Sequence, residues 1–196
     1  AALGLRLHGI NWDDGYGFHP DERDIYMRSG CMYDVLTQAP RSPDCIQQYY
    51  PKHPRTEPGL PGPSVLLDAA RSPLNPHWFP LGSGLIYVLV FFRSVVELFT
   101  DVTDLDMRYV GRTLSALADV GTVLLVYVLG RRMYGRGVGL LAAALTALAV
   151  IHIQNSHFYR PETFSLLFTL ASFWAMLRLV EQGGWGRSAL LGLLVG

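Results

Sequence analysis

The sequence predicts an all-α polytopic membrane protein: a transmembrane helix bundle with a long first outer loop that carries interfacial amphipathic helices. Half of its 196 residues are hydrophobic and 16% are charged, whereas about a quarter of the residues are charged in soluble domains. Residues 11–80 are polar, proline-rich and aromatic, and residues 81–196 hold nearly all the long apolar runs. The formal net charge is zero, so the basic patch of a nucleic-acid-binding protein is not expected.

The first outer loop is expected to begin near residue 11. The apolar residues 1–10 are too few for a complete span or a signal peptide, and we interpret them as the end of a truncated first transmembrane helix. In the segment 19–22, His-Pro-Asp-Glu, the proline and the two acids are typical of the first turn of a helix. Apolar residues at helical spacing extend this helix to about residue 38. Such an amphipathic helix beside membrane spans is expected to lie along the bilayer surface.

Residues 39–63 contain seven prolines and are predicted to form a loop. The apolar run 81–99 is nearly long enough to cross a bilayer, but it contains Arg93, and a charge inside a span is costly unless it finds a partner. We therefore expect this run to form a second interfacial helix, which makes residues 11–108 an extracytoplasmic loop. If it crossed instead, the polar segment would be cytoplasmic. Cys31 and Cys45 could form a disulfide in an oxidising compartment.

Residues 109–196 are predicted to form the transmembrane helices. Spans are expected at about 109–130, 137–153 and 163–180, with a truncated one at 188–196. Three arginines lie within residues 131–136 and mark the cytoplasmic side by the positive-inside rule. The polar turn at 154–162 is therefore expected outside, on the same side as the first loop.

This topology collects ionisable residues on the outer face, where such residues are functional candidates. They are acids, arginines and histidines: Asp21, Glu22, Glu162, Arg23, Arg112, Arg160, His19, His77 and His157. Asp119 lies seven residues beyond Arg112 and about 10 Å deeper along the same helix. We interpret it as a polar contact in the bundle interior.

The ordered set of motifs resembles the GT-C glycosyltransferases that use polyprenyl-phosphate sugars, such as protein O-mannosyltransferases, lipid A aminoarabinose transferases and their bacterial relatives. The set comprises the acid pair in the first outer loop, YVGRTLSAL at 109–117, YVLGRRMYG at 127–135, and an alanine-rich helix that ends before an acid. The resemblance covers nearly the whole sequence. It implies a transferase in the bacterial plasma membrane with an extracytoplasmic active site, a polyprenyl-phosphate sugar as donor, and a lipid, glycan or protein as acceptor.

The resemblance also implies roles for individual residues. Asp21 corresponds to the catalytic acid, and Glu22 is expected to support it. Arg112 matches an arginine common in the family, and Glu162 stands where relatives usually have Asp. Asn75-Pro76-His77 replaces a Lys-Pro-Pro string that meets the lipid phosphate. His77, Arg160, His157 and His19 are therefore the further candidates for binding the phosphate.

The chemistry of these residues is consistent with transfer from an activated donor. A carboxylate can take the proton of an acceptor hydroxyl, and arginine or histidine can stabilise the departing phosphate. No cofactor is required, although the acids and histidines could ligate a divalent metal. A transporter and a non-catalytic membrane scaffold are the alternatives. Transporters commonly have helices broken near the bilayer midplane, and no proline interrupts the predicted spans.

Overall fold

The computed structural model describes residues 1–37 and 62–195, and all regular secondary structure in these ranges is helical. The helices are α1 (Ala2–Leu7), α2 (Pro20–Thr37), α3 (Pro63–Leu66), α4 (Gly84–Val96), α5 (Met107–Tyr134), α6 (Arg136–Leu148), α7 (Val150–Ser156), α8 (Pro161–Gln182) and α9 (Trp185–Val195). The predicted all-α class is confirmed.

The chain divides into two compact units. One, the loop unit, is Asp13–Gly111; the other, the bundle unit, combines Ala1–Trp12 with Arg112–Gly196. Helices α5 and α8 are each long and apolar enough to cross a membrane, and the bent pair α6 and α7 would add a third crossing. The protein is therefore an all-α membrane protein.

The loop unit is organised by the packing of α2 against α4. Ile25 and Met32 of α2 and Ile86 and Leu89 of α4 are fully buried, which follows from the helical spacing of apolar residues in both segments. Helix α4 has 13 residues and is therefore about 20 Å long. It is too short to cross a hydrocarbon core of about 30 Å by itself.

Arg93, the charge that the sequence places in the apolar run, is buried and fully engaged within the loop unit. Its Nε donates to Glu97 Oε1 at 2.8 Å, its Nη2 donates to the Val102 carbonyl at 3.1 Å, and its Nη1 pairs with Asp104. The guanidinium also lies 4.7 Å from the centre of the Tyr33 ring. The charge of Arg93 is thus compensated by neighbouring acids.

Cys31, on the buried face of α2, is disulfide-bonded. The sequence contains two cysteines, and the other, Cys45, lies outside the described residues. So does most of the proline-rich segment predicted to be a loop.

The segment 137–153, predicted as one continuous span, is divided at Ala149. Helices α6 and α7 meet there at 57°, although the break contains neither proline nor glycine. In a continuous helix the Ala147 carbonyl would accept a hydrogen bond from the amide of residue 151. Here Arg6 donates to that carbonyl at 3.1 Å. A guanidinium that satisfies a main-chain carbonyl is a recognised cause of a sharp kink.

Helices α5 and α6 approach each other closely through two glycines. A Cβ atom on Gly139 would lie 2.6 Å from the Arg131 nitrogen and 2.9 Å from the Tyr127 oxygen, and one on Gly130 would lie 3.0 Å from the Gly139 Cα. Both glycines are therefore needed for contact between the two backbones. Small residues have this role in many membrane helix pairs.

We expect Gly139→Ala to lower the thermal stability of the protein in detergent, because the added methyl group forces the two backbones apart. Overpacking of this kind costs about 1–3 kcal/mol. Gly137→Ala is the matched control, since a Cβ at that position meets no atom within 4 Å. Melting curves from circular dichroism measure both changes. Equal melting temperatures for the two variants would show that the contact is not tight.

Candidate active site

The acid pair lies in the first turn of α2, which begins at Pro20. Glu22 is 1% exposed, whereas Asp21 is half-buried. Consecutive helical residues point about 100° apart, so one acid can face the interior of the loop unit while its neighbour remains partly accessible. Asp21 is therefore the acid that a substrate can reach more easily.

Glu22 belongs to a buried polar group with Asp13, Tyr26 and Arg108. Burial, together with the charge of Glu22, raises the pKa of the Tyr26 hydroxyl, and Arg108 opposes this change. The hydroxyl therefore stays protonated at neutral pH and acts as a donor. Sequence reasoning missed Asp13, Tyr26 and Arg108 as the buried polar surroundings of the acid pair.

The segment before α2 is a tight turn closed by Asp13. Its Oδ2 accepts a hydrogen bond from the Gly17 amide at 3.2 Å, and Asp14, Gly15 and Gly17 all have positive φ. A Cβ on Gly17 would lie 2.6 Å from the Tyr26 hydroxyl oxygen. Glycine at position 17 thus allows the turn to pack directly on the buried polar group.

Two predicted histidines also belong to the loop unit. His19 is half-buried directly before α2. His77 is exposed in the turn after Pro76 and has a φ of 51°. Its amide donates to Asn75 Oδ1 at 3.0 Å, which is a common way for asparagine to stabilise a turn. The structure thus places His19 beside the acid pair in sequence and His77 in a separate turn.

Arg112, in the bundle unit, is 0% exposed. Its Nη1 donates to the Ile10 carbonyl at 2.7 Å, and its guanidinium carbon lies 5.3 Å from the centre of the Trp12 ring. The indole Nε1 of Trp12 donates to the His157 carbonyl at 3.4 Å, and its ring meets the Phe158 ring edge-on. Arg112 therefore holds the 10–12 segment, which in turn contacts the turn after α7.

His157 is held by hydrogen bonds at both ring nitrogens. Nδ1 lies 2.6 Å from the Ile153 carbonyl oxygen, and Nε2 lies 2.7 Å from the His8 carbonyl oxygen. Carbonyl oxygens can only accept hydrogen bonds. The two ring nitrogens can therefore donate at the same time only when both carry a proton, as they do in an imidazolium. In this geometry His157 ties α7 to the segment after α1.

The last two predicted residues form an ion pair. Arg160 precedes Pro161, the first residue of α8, and its Nη2 contacts Glu162 Oε1 in the first turn of that helix. Glu162 is exposed. The structure therefore brings Arg160 and Glu162 together, while Arg112 and His157 both bind the 8–12 segment.

We expect Arg112→Lys to destabilise the protein. The planar guanidinium of Arg112 donates to the Ile10 carbonyl and lies against the Trp12 ring at the same time, and the compact ammonium group of lysine cannot make both contacts. The loss should be about 1–3 kcal/mol, with a parallel loss of transfer activity in the full-length protein. Arg131→Lys, at an exposed position of the same helix, is the control and should have little effect. Normal stability and transfer in Arg112→Lys would indicate that this arginine only anchors the helix.

Asp119 is a buried contact within the bundle unit, as the sequence predicts. Its Oδ2 accepts from Arg6 Nε at 2.5 Å, and its Oδ1 lies 2.7 Å from His152 Nδ1. Sequence reasoning missed both partners. An acid inside a span requires a partner, and a basic residue in each neighbouring apolar segment was the available signal.

The bundle unit contains two cavities near these residues. The larger, of about 640 Å³, has mainly apolar walls that include Trp12, Ile153 and Phe158. The smaller, of about 150 Å³, has polar walls that include Asp119, His152 and Glu162. Among residues 1–37 and 62–195, no three histidine, cysteine or acidic side chains are grouped as a metal site requires.

Comparison with known proteins identifies the family. Neither a curated protein nor a solved structure matches the chain. Residues 86–196 match the family model described as dolichyl-phosphate-mannose-protein mannosyltransferase. The match covers more than half of the chain and includes Arg112, His157, Arg160 and Glu162, whereas Asp21 and Glu22 precede it. The chain therefore belongs to the dolichyl-phosphate-mannose-protein mannosyltransferase family and is a membrane glycosyltransferase of the GT-C type.

Proposed function

We propose that this protein transfers a sugar from a polyprenyl-phosphate carrier to an acceptor hydroxyl on the extracytoplasmic face of the bacterial plasma membrane. The family match over residues 86–196 carries this proposal. The disulfide at Cys31 supports an oxidising compartment for the loop unit. The arginines within residues 131–136 support a cytoplasmic position for the turn between α5 and α6.

Asp21 acts as the general base in this proposal. Its carboxylate takes the proton of the acceptor hydroxyl while the acceptor oxygen bonds to the anomeric carbon of the sugar. The bond from that carbon to the phosphate oxygen breaks, and the polyprenyl phosphate leaves with the electron pair. The buried Glu22, with Tyr26 and Arg108 nearby, fixes the first turn of α2 and so orients Asp21.

Cationic side chains stabilise the phosphate as it leaves. His19 and His77 in the loop unit and Arg160 in the bundle unit are at least partly accessible, and each is proposed as a candidate to bind it. Arg112 and His157 are bound to main-chain carbonyls of the 8–12 segment, and we propose that they order that segment. Glu162 orients Arg160 through their ion pair.

Donor specificity tests the proposal. Membranes from cells that express the full-length protein supply the endogenous acceptor, and radiolabelled polyprenyl-phosphate mannose or a nucleotide sugar supplies the donor. We expect covalent incorporation of label from the lipid donor alone, with release of polyprenyl phosphate. Incorporation from the nucleotide sugar, without a lipid intermediate, would contradict the proposal.

The bend between α6 and α7 favours the transporter alternative, because transporters often bind their substrates at broken helices. The same membranes distinguish the two functions. A transporter would move the labelled lipid or sugar across sealed vesicles without joining the label to an acceptor. Label found covalently joined to an acceptor, separated from the polyprenyl-phosphate donor by chromatography, would therefore favour the transferase.

A further inference from the structure

The small cavity in the bundle unit has a polar lining of which the proposed chemistry uses only Glu162, through its ion pair with Arg160. We call it the Asp119 pocket; its polar walls are Asp119, His152, Asn155, Glu162 and Thr163. Asp119 belongs to α5, His152 and Asn155 belong to α7, and Glu162 and Thr163 belong to the first turn of α8. The pocket has a volume of about 150 Å³, roughly that of five water molecules in the liquid.

His152 brings an oriented imidazole to this pocket. Its Nδ1 is bonded to Asp119 Oδ1 at 2.7 Å, and a carboxylate oxygen can only accept, so Nδ1 carries the proton. In the neutral ring Nε2 is then an acceptor. Over the part of the chain that the structure describes, Nε2 has no hydrogen-bond partner, and the side chain is 22% exposed.

Thr163 supplies a second unsatisfied group. The residue is 5% exposed, and its hydroxyl oxygen is buried without a partner in residues 1–37 and 62–195. A buried hydroxyl without a hydrogen bond is destabilising. A ligand or water in the Asp119 pocket would offer the Thr163 hydroxyl a hydrogen-bond partner.

The charges around the pocket are paired, which disfavours an ionic ligand. Arg6 compensates Asp119, and Arg160 compensates Glu162. The remaining groups are an imidazole, the Asn155 amide and the Thr163 hydroxyl, all of which form hydrogen bonds with hydroxyl groups. The volume is below the usual range of about 300–1,000 Å³ for drug-sized ligands, so a polyprenyl chain does not fit.

We infer that the Asp119 pocket binds a small neutral compound rich in hydroxyl groups, of the size of glycerol or a single pyranose ring. His152 Nε2 accepts a hydrogen bond from one hydroxyl of this ligand. Thr163 and Asn155 pair with others, and Asp119 with Arg6 fixes the tautomer and orientation of the imidazole.

Carbethoxylation of the purified full-length protein in detergent, mapped by mass spectrometry, tests this inference. Diethyl pyrocarbonate acylates accessible imidazole nitrogens. His157 is the internal control, because main-chain carbonyls bind both of its ring nitrogens. We expect it to react about tenfold more slowly than His152. Methyl α-mannoside or glycerol should slow the modification of His152 at least about twofold, as half-occupancy requires, and sodium phosphate should not.

Thr163→Val separates ligand binding from a structural role. The substitution removes the unsatisfied hydroxyl but keeps the shape, so it should preserve the melting temperature and abolish protection of His152. Thr169→Val, on the same helix but with its hydroxyl already bonded to the Ser165 carbonyl, should keep the protection. If Thr163→Val does not fold, Asn155→Ala serves the same purpose.

Four results would overturn the inference. Equal modification of His152 and His157 would show that the imidazole does not open on an accessible pocket. Protection by phosphate but not by the polyols would show an anion site, and protection by neither would show a pocket that holds only water. Protection that persists in Thr163→Val or, where that variant does not fold, in Asn155→Ala would place the ligand elsewhere.

Discussion

Asp21→Asn is expected to abolish sugar transfer while the protein retains its fold. Asparagine keeps the shape of the side chain and suits a helix start, but its amide cannot take a proton from the acceptor hydroxyl. General bases contribute about 10²–10⁴-fold to rates, so the rate of sugar transfer should fall by a factor in this range. The assay is transfer from polyprenyl-phosphate mannose by the full-length protein, with the melting temperature measured in parallel.

Glu22→Gln is the matched control for Asp21→Asn and should show the opposite pattern. Glu22 is buried beside Tyr26 and Arg108, and loss of its charge disturbs a buried polar group at a cost of about 1–3 kcal/mol. Stability should therefore fall more than in Asp21→Asn, and transfer should fall less. Substantial transfer by well-folded Asp21→Asn protein would remove Asp21 from the mechanism and make Glu162 the better candidate.

Asp119→Ala should cause a large loss of stability, about 3–5 kcal/mol, because it leaves Arg6 buried without its counter-charge. It also removes the partner of His152 and should loosen the bend between α6 and α7. Thermal unfolding of the purified protein in detergent, followed by circular dichroism, measures the loss.

Two further variants show whether the charge imbalance is the cause. The double variant Arg6→Met with Asp119→Leu removes both charges and should recover much of the stability, since apolar replacements of buried ion pairs are often tolerated. Glu181→Ala breaks the more exposed pair with Arg132 and should cost about 0–1 kcal/mol. A double variant no more stable than Asp119→Ala would attribute the loss to the missing volume.

The sequence predicts the fold class because membrane helices are recognised by local properties. The apolar runs that form α5 and α8 are each long enough to cross a bilayer, and Pro20 with the adjacent acids predicts where α2 begins. Each of these signals lies within the segment it describes.

The bend at Ala149 is not predictable in this way, since its cause lies far along the chain. Helices usually break at proline or glycine, and neither occurs there. The bend depends on Arg6, which donates to the Ala147 carbonyl. A contact between residues so distant in sequence appears only when the helices are packed.

The candidate site shows the same limit. The acids Asp21 and Glu22 can be recognised from their motif and from the resemblance to a family. Arg108 lies far along the chain from Glu22, and only the packing of the loop unit brings both into the electrostatic environment of Tyr26. The roles of Asp13 and Tyr26 likewise depend on a turn whose conformation requires positive φ at Gly17.

Labelling of single cysteines in intact cells tests the proposed topology most directly. The proposal places both the loop that carries Asp21 and Glu22 and the 154–162 turn on the extracytoplasmic side. The native disulfide can stay, because a disulfide does not react with a maleimide. In the full-length protein, Ala70→Cys and Gln154→Cys introduce exposed thiols, and Gly137→Cys introduces one at the exposed start of α6, where a Cβ meets no atom within 4 Å. We expect a membrane-impermeant maleimide to label positions 70 and 154 in intact cells, and position 137 only after permeabilisation. Labelling of position 70 and position 154 from opposite sides would contradict the expectation that both segments lie on the extracytoplasmic side.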